Sequence, residues 1–433
     1  MKLTRSPIQS SIPSLTLQSS GLVILFAFVH TISDAITNML SALLPTLQSQ
    51  FNLSETILAL LVASLSLSAL VTQPLFGALA DRMGYRRIAA LGVIFNAVLF
   101  SLIGIVPNIY ILFGLILIGG LGSLALHPAM ASMARLAGRN KPDLAVGLFS
   151  AGGTLGIAIG PIIIIILLSN LGLSFTPWLM IPGIVLGILM YILSPADTQP
   201  ASNVSEKIFD LRLLTGPVGL LSLTGILSGV AFVTFTSAMP LWLVRVHSLP
   251  NNSTLIGWTL STFSLAAAAG GIVGGMISNR VGVKRVIVTS TLLALLPLYA
   301  IFSLTPGSLS YFVGVALAGV LINAGMPLLI VSAQDLSPKN SAAASGMLMG
   351  FSAGAAGLVY VGIGRLQEVI GLAPAMSIGY LALIAAAVLA SIAIKSQEPS
   401  ARQQPAPVEG WSCLCSPCMD QNIAALPQRT RAS

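Results

Sequence analysis

This chain has little charge. Only 7% of its 433 residues are Asp, Glu, Lys or Arg, whereas 55% are hydrophobic, and the mean hydropathy is +0.94. A soluble protein of this length needs a polar, water-facing shell, and there are too few polar residues here to make one. Cysteine is nearly absent. The three present, Cys413, Cys415 and Cys418, sit together near the C-terminus, so no disulfide framework staples the body of the chain. Their C-x-C-x-x-C spacing offers three metal ligands without a fourth, and it is read as part of an inert, disordered tail rather than a metal site. No P-loop, nucleophile–base pair or metal cluster appears in the sequence. An enzyme is therefore not expected, and neither ATP nor any other cofactor is implied.

The chain does have long apolar runs of about 20 residues or more, the length a helix needs to cross a bilayer. Twelve are read, near 21–47, 56–80, 88–106, 109–136, 144–168, 175–194, 216–244, 254–279, 285–303, 308–334, 342–366 and 372–395. The first is a full-length span, so no cleavable signal peptide is expected. The net charge of +8 would suggest a nucleic-acid partner in a soluble protein, but its distribution is topological. Of 20 Lys and Arg, only Arg245 and Arg365 fall on the side opposite the N-terminus in a twelve-span arrangement. The positive-inside rule then puts both termini in the cytoplasm of a plasma-membrane protein, and nucleic-acid binding is rejected. The expected organisation is an N-terminal segment at 1–20, a six-helix bundle at 21–194, a linker at 195–215, a second bundle at 216–395 and a tail at 396–433.

The two bundles repeat one another. Gly77-Ala-Leu-Ala-Asp81-Arg82-Met-Gly84-Tyr85-Arg86-Arg87 returns 198 residues later as Gly275-Met-Ile-Ser-Asn279-Arg280-Val-Gly282-Val-Lys284-Arg285. Gly152 and Gly156 match Gly350 and Gly354 at the same offset, and Gly120 and Pro128 match Gly319 and Pro327 one residue further on. Parallel repeats of this kind place a substrate path between the halves, near mid-membrane. Asp81 can accept charge-assisted hydrogen bonds from Arg86 or from a helix N-terminus, forming a latch at a gate with Arg82, Gly84, Arg86 and Arg87. The second copy, with Arg280, Gly282, Lys284 and Arg285, has Asn279 in place of the Asp and should latch more weakly. Gly152, Gly156 and Gly160 in the fifth span, followed by Pro161, and Gly346, Gly350 and Gly354 in the eleventh, form small-residue ridges for close helix packing. On the other face, Arg245 and Arg365 with Glu368 are read as an outer gate or as exposed loop charges, the second being preferred.

A few side chains do not belong in lipid. His30, Asp34 and Asn38 share one face of the first span at i, i+4, i+8, and His127 precedes Pro128 in the fourth. At about 1.5 Å rise per residue the two histidines lie at one level of antiparallel helices. Intramembrane Asp/His groups suit a proton relay, because histidine changes charge near neutral pH. The alternative is that the histidines are hydrogen-bonded packing residues and Asp34 caps a neighbouring helix. The second half has Gly225, Gly229 and Met326 where the first has His30, Asp34 and His127. If protons couple to transport, the first half carries them and the second mainly shapes the substrate path. Thr234, Thr236, Ser237 and Asn323, together with Gln334, are candidate substrate contacts or packing groups of the second, and Asn38 is the candidate contact of the first.

The paired Gly-x-x-x-Asp-Arg-x-Gly-x-Arg-Arg loops resemble the loop between helices 2 and 3 of the major facilitator superfamily. His30-x-x-x-Asp34, Leu43-Leu44-Pro45, Gln73-Pro74-Leu75-x-Gly77 and the His127-Pro128 pair seven residues after Gly120 are similar to the superfamily's fosmidomycin-resistance branch. Gly156-Ile-Ala-Ile-Gly160-Pro161 resembles the core of the superfamily's antiporter motif, without the Gly-Gly that follows there. Ile116 stands where drug antiporters of the superfamily often carry an Arg. The resemblance implies a monomeric, all-α integral membrane protein of twelve transmembrane helices in two pseudo-symmetric bundles. It also implies proton-driven export of a small polar or anionic drug-like compound by alternating access. Import by proton symport or facilitation, and a non-transporting receptor on the same fold, are the alternatives left open, because helix count and basic loops do not encode direction.

Overall fold

The computed structural model describes residues 19–138, 142–195, 216–337 and 341–394. The cysteine tail, residues 1–18 of the N-terminal segment and all but the first residue of the expected linker lie outside the described residues, as do the side chains of Asp81 and Arg82. The described elements are helical: α1 (Ser19–Phe51), α2 (Glu55–Met83), α3 (Tyr85–Ser101), α4 (Ile109–Ala137), α5 (Pro142–Asn170), α6 (Met180–Leu193), α7 (Pro217–Arg245), α8 (Thr254–Val281), α9 (Val283–Leu293), α10 (Leu295–Ala300), α11 (Leu309–Asn323), α12 (Met326–Leu336), α13 (Ser341–Ile370) and α14 (Leu372–Ala393). Among the described residues eleven stretches are long and apolar enough to cross a membrane, and α2, 29 residues long with the shorter apolar segment Glu55–Ser68, stands at the place of the twelfth. Helices suit this solvent because each satisfies its own backbone donors and acceptors in hydrocarbon.

Two spans are broken, each by a proline. α9 stops at Leu293, four residues before Pro297, and α10 resumes at Leu295. α11 stops at Asn323 and α12 resumes at Met326, just before Pro327. In both places the proline has no N–H for the carbonyl four residues back, and its ring crowds that carbonyl. The repeated basic loops contract to single residues. Gly84 at φ 98° ends α2 and starts α3, and Gly282 at φ 90° does the same between α8 and α9. A side chain is strained at such a φ, which is why glycine recurs at this point of both copies.

We term the face where α1 begins, and where these two turns lie, the near face, and the opposite one the far face. α1 packs chiefly on α5, α2 on α13, α7 on α14 and α13, and α5 on α8, so α2–α13 and α5–α8 join the two halves. The hydrophobic core is forked. Toward the far face one cluster runs through both halves, from Ile36–Leu47 of α1 to Phe235–Leu243 of α7 and Phe263 of α8. Toward the near face it gives way to two clusters, one around Phe26, Val29 and Met130 in the first half and one around Leu221, Ile287 and Leu329 in the second.

Candidate functional site

The fork is where the ionisable residues sit. His30 and Asp34 lie between Val29, in the near cluster of the first half, and Ile36, in the shared far cluster. Asp34 is buried, and each of its oxygens faces an imidazole. His30 Nε2 is 3.3 Å from Oδ2 and His127 Nε2 is 3.4 Å from Oδ1. The two rings meet edge to face with centroids 4.9 Å apart. The structure thus brings together three residues drawn from two antiparallel helices.

The other ring nitrogens decide the chemistry. His30 Nδ1 lies 2.8 Å from the Phe149 carbonyl and His127 Nδ1 lies 2.6 Å from the Ser123 carbonyl. A carbonyl oxygen only accepts, so both Nδ1 atoms carry hydrogen and donate. In a neutral imidazole the second nitrogen is then a bare lone pair, and both Nε2 atoms would point lone pairs at a carboxylate. That contact is repulsive until a proton occupies the gap. One proton shared among the three residues makes an imidazolium–carboxylate pair of zero net charge, the least costly state for a group at membrane depth.

Packing holds this arrangement. The His30 ring stacks on Phe149 at 4.0 Å, and a Cβ at Gly153 would fall on the imidazole. A Cβ at Gly152, Gly156 or Gly160 would fall on the carbonyl of Ala27, Thr31 or Ala35 respectively. The three glycines thus let α5 lie directly on the backbone of α1. The Thr31 hydroxyl closes the seam by donating to the Gly152 carbonyl at 2.9 Å. Asn38, a turn beyond Asp34, donates from Nδ2 to the Asp34 carbonyl at 2.8 Å.

The candidates of the second half are not gathered into one site. Thr234 is buried against Gly379 of α14, and Ser237 is buried too. The Thr236 hydroxyl donates to its own helix at Phe232, and Asn323 Nδ2 donates to the Ala267 carbonyl at 2.8 Å, fastening α11 to α8. Gly350 and Gly354 are buried in α13, while Gln334 and Lys284 are half-buried and Arg87, Arg280 and Arg285 are exposed near the turns. Arg86 covers the Tyr191 ring at 4.4 Å and donates to the Ser194 carbonyl, tying the first basic turn to the end of α6.

A family model described as Major Facilitator Superfamily matches this chain twice, over residues 26–252 and 221–419. The chain belongs to that superfamily. Among its relatives in the superfamily, an uncharacterised transporter, YfnC of Bacillus subtilis strain 168, is 25% identical over 392 residues, covering 85% of this chain and 93% of the relative. The fosmidomycin resistance protein of Escherichia coli K12 is 22% identical over 363 residues, covering 81% and 87%. Solved transporter folds superpose on most of the chain. The nucleoside transporter NupG gives a TM-score of 0.72 at 15% identity over 88% of this chain and all of NupG. A bacterial homologue of the human lysosomal transporter Spinster, inward-facing and occupied, gives 0.70 at 17% over 86% and 96%. Membership supports a multi-pass membrane protein that works in secondary transport.

One group of residues in this superfamily member escaped the sequence reading, and so did the partners of a second. The first supports the triad. Asn96, fully buried in α3, donates from Nδ2 to the Ser33 hydroxyl at 2.7 Å and to its carbonyl at 3.0 Å. The Thr37 hydroxyl lies within hydrogen-bond distance of Asn96 Oδ1 and Ser123 Oγ. A lone amide inside the apolar third span was the available signal. The second group closes the far face. Arg245 of α7 pairs with Glu55 at the start of α2. Glu368 of α13 accepts from the Thr56 backbone N–H at 2.9 Å and pairs with Arg365 at 2.5 Å. Asn251 donates to Ser49, and Ser169 to the Asn252 carbonyl. Arg245, Arg365 and Glu368 are therefore not solitary loop charges. Acidic groups at a helix N-terminus are favourable in themselves, so the α2 N-terminus is held from the other half.

Replacing both Arg245 and Glu368 with alanine removes two of these links. In a chain with the three tail cysteines changed to serine, Ser66→Cys places a probe at the α2–α13 seam, opposite Gly357. The double substitution is expected to raise its labelling by an impermeant maleimide about two- to five-fold, the range for losing an exposed ion pair. Unchanged labelling would mean that these two charged links do not hold the far face shut.

Proposed function

We propose that this chain is a proton-coupled secondary transporter that exports a small polar compound by alternating access, with His30, Asp34 and His127 as its coupling site. The observation that carries the reading is the commitment of both Nδ1 atoms to backbone carbonyls, which leaves two Nε2 atoms on one carboxylate and a gap that requires a proton. Its location at the fork of the core supports access from the near side in an inward-facing member of the cycle. The positive-inside rule supports a cytoplasmic near face and cytoplasmic termini in a plasma membrane of the bacterial inner-membrane type. Kinship with the fosmidomycin and MdtG multidrug resistance proteins of Escherichia coli supports export. The protein is taken as a monomer of two bundles, 21–194 and 216–395, joined through 195–215. Asn38, Thr236 and Asn323, each half-buried, remain its candidate substrate contacts, Thr234 and Ser237 could join them only in a state of the cycle that uncovers them, and the turns around Gly84 and Gly282 are its near gate.

Charge decides the sign of coupling. A ligand rich in hydrogen-bond donors, or cationic, is held best by the bare Asp34 carboxylate and so displaces the proton, which is antiport. An anion is held best by the protonated triad and would travel with the proton. The experiment is substrate-induced proton movement in acid-loaded everted vesicles, using a panel of antibiotics that includes fosmidomycin. Antiport predicts loss of the acid interior when a substrate is added. Further acidification on addition would reverse the coupling, and movement of substrate with no proton would leave a facilitator.

A further inference from the structure

We propose that the His30–Asp34–His127 triad is also a site for a transition-metal ion of the Zn2+, Co2+ or Ni2+ class, and that the ion blocks proton exchange by occupying the protons' place. The second limb rests on the coupling role proposed above, and the first does not. One ligand atom from each of the three residues can be chosen so that all lie within 4.8 Å of one another. The two histidine–aspartate separations, 3.3 and 3.4 Å, are long for charge-assisted hydrogen bonds, which run at about 2.7–2.9 Å. They end on different oxygens, Oδ2 and Oδ1, so an ion with bonds of about 2.0–2.1 Å would draw both nitrogens inward, onto one oxygen or across the two. His30 Nε2 is buried, is aimed at this point and has no hydrogen-bond partner.

The surroundings suit a metal. Metal-binding histidines usually donate their second N–H to a carbonyl or carboxylate, which fixes ring and tautomer. Both rings do so here, to Phe149 and Ser123. Two imidazoles and one carboxylate disfavour Mg2+ and Ca2+, which want oxygen ligands alone, and suit borderline ions. The His127 side chain is 30% exposed whereas those of His30 and Asp34 are nearly closed off. A fourth coordination position would therefore open beside His127 and be filled by water, as in exchangeable rather than structural sites. An ion bound there needs both Nε2 lone pairs, so the triad's single proton leaves as the metal arrives.

The test uses purified full-length protein with Cys413, Cys415 and Cys418 changed to serine, so that the tail cannot supply thiolates. Titration with Co2+ is expected to give visible d–d bands of tetrahedral N/O ligation at one ion per chain. Displacement of a proton predicts an affinity that weakens as the pH is lowered. His30→Gln, Asp34→Asn and His127→Gln should each abolish the bands while still eluting as monodisperse protein. His127→Gln, at the exposed corner, is the variant safest to fold. Absence of saturable binding, or bands that persist in all three variants, would overturn the site. Zn2+ added to everted vesicles should stop substrate-induced proton movement in the cysteine-free chain. If Co2+ binds but Zn2+ leaves that movement intact, the blocking role is overturned. Should the native chain move no protons at all, the coupling reading fails while the metal site still stands or falls on its spectrum.

Discussion

Asp34→Asn is expected to abolish substrate-dependent proton movement while leaving a folded protein. Asparagine has the same shape, and its amide can donate to one Nε2, so helices α1 and α4 stay together. It cannot carry the compensating charge. With both Nδ1 hydrogens held by carbonyls, protonating either ring would bury an unpaired imidazolium, and leaving a buried charge without its partner costs about 3–5 kcal/mol. The protonated population should therefore fall by at least about a hundredfold, below what a vesicle assay detects. His30→Gln should be nearly as severe, because His30 is as closed off as Asp34. His127→Gln should be milder, because that side chain is 30% exposed and water can take over part of its role. The readout is proton movement set beside substrate counterflow. Counterflow kept while proton movement is lost locates coupling at Asp34, whereas native proton movement in the Asp34→Asn protein would remove the triad from the mechanism.

How much of this was legible beforehand depends on what fixes each feature. A helix in lipid has a set rise and period, so His30 and Asp34 on one face, and His127 at their level, follow from counting residues along two antiparallel spans. The fixed period does not say which way a side chain turns. Asn38 shares that face and yet bonds its own helix at the Asp34 carbonyl. Thr234 and Asn323 carry the polarity of a binding site, but are placed against Gly379 and Ala267 by the rotation of their helices. Contacts between halves are the least visible. Thr56 and Glu368 lie 312 residues apart, and nothing local in either segment names the other. The breaks near Pro297 and Pro327 could have been read from proline chemistry, yet Pro45, Pro128, Pro161 and Pro240 sit inside continuous helices. Whether a span yields at a proline is settled by its neighbours.

Gly156→Leu is expected to leave little folded protein, and Gly156→Ala to show the fault in a measurable form. The three carbonyls of Ala27, Thr31 and Ala35 follow one another at i, i+4, i+8 along α1, and Gly152, Gly156 and Gly160 meet them at the same interval along α5. A methyl at Gly156 lands on the Thr31 carbonyl with Ala35 N and Asp34 Cβ behind it. None of these can rotate away as a flexible side chain would. Overpacking a well-packed site costs about 1–3 kcal/mol, and a clash against backbone belongs at or above the top of that range. The damage should reach the triad before the chain unfolds. His30 Nδ1 bonds the Phe149 carbonyl on the same helix as these glycines, so moving α5 outward stretches the bond that holds the tautomer. Gly156→Ala is thus expected to lower the unfolding temperature and to uncouple protons from substrate in the protein that survives. The control lies on the same helix. Gly147 has open space where its Cβ would go, so Gly147→Ala should be neutral, or stabilising by up to about 1 kcal/mol through helix propensity. If Gly156→Leu were as stable as the native chain, the close approach of α1 and α5 would not be what sets the histidine in place.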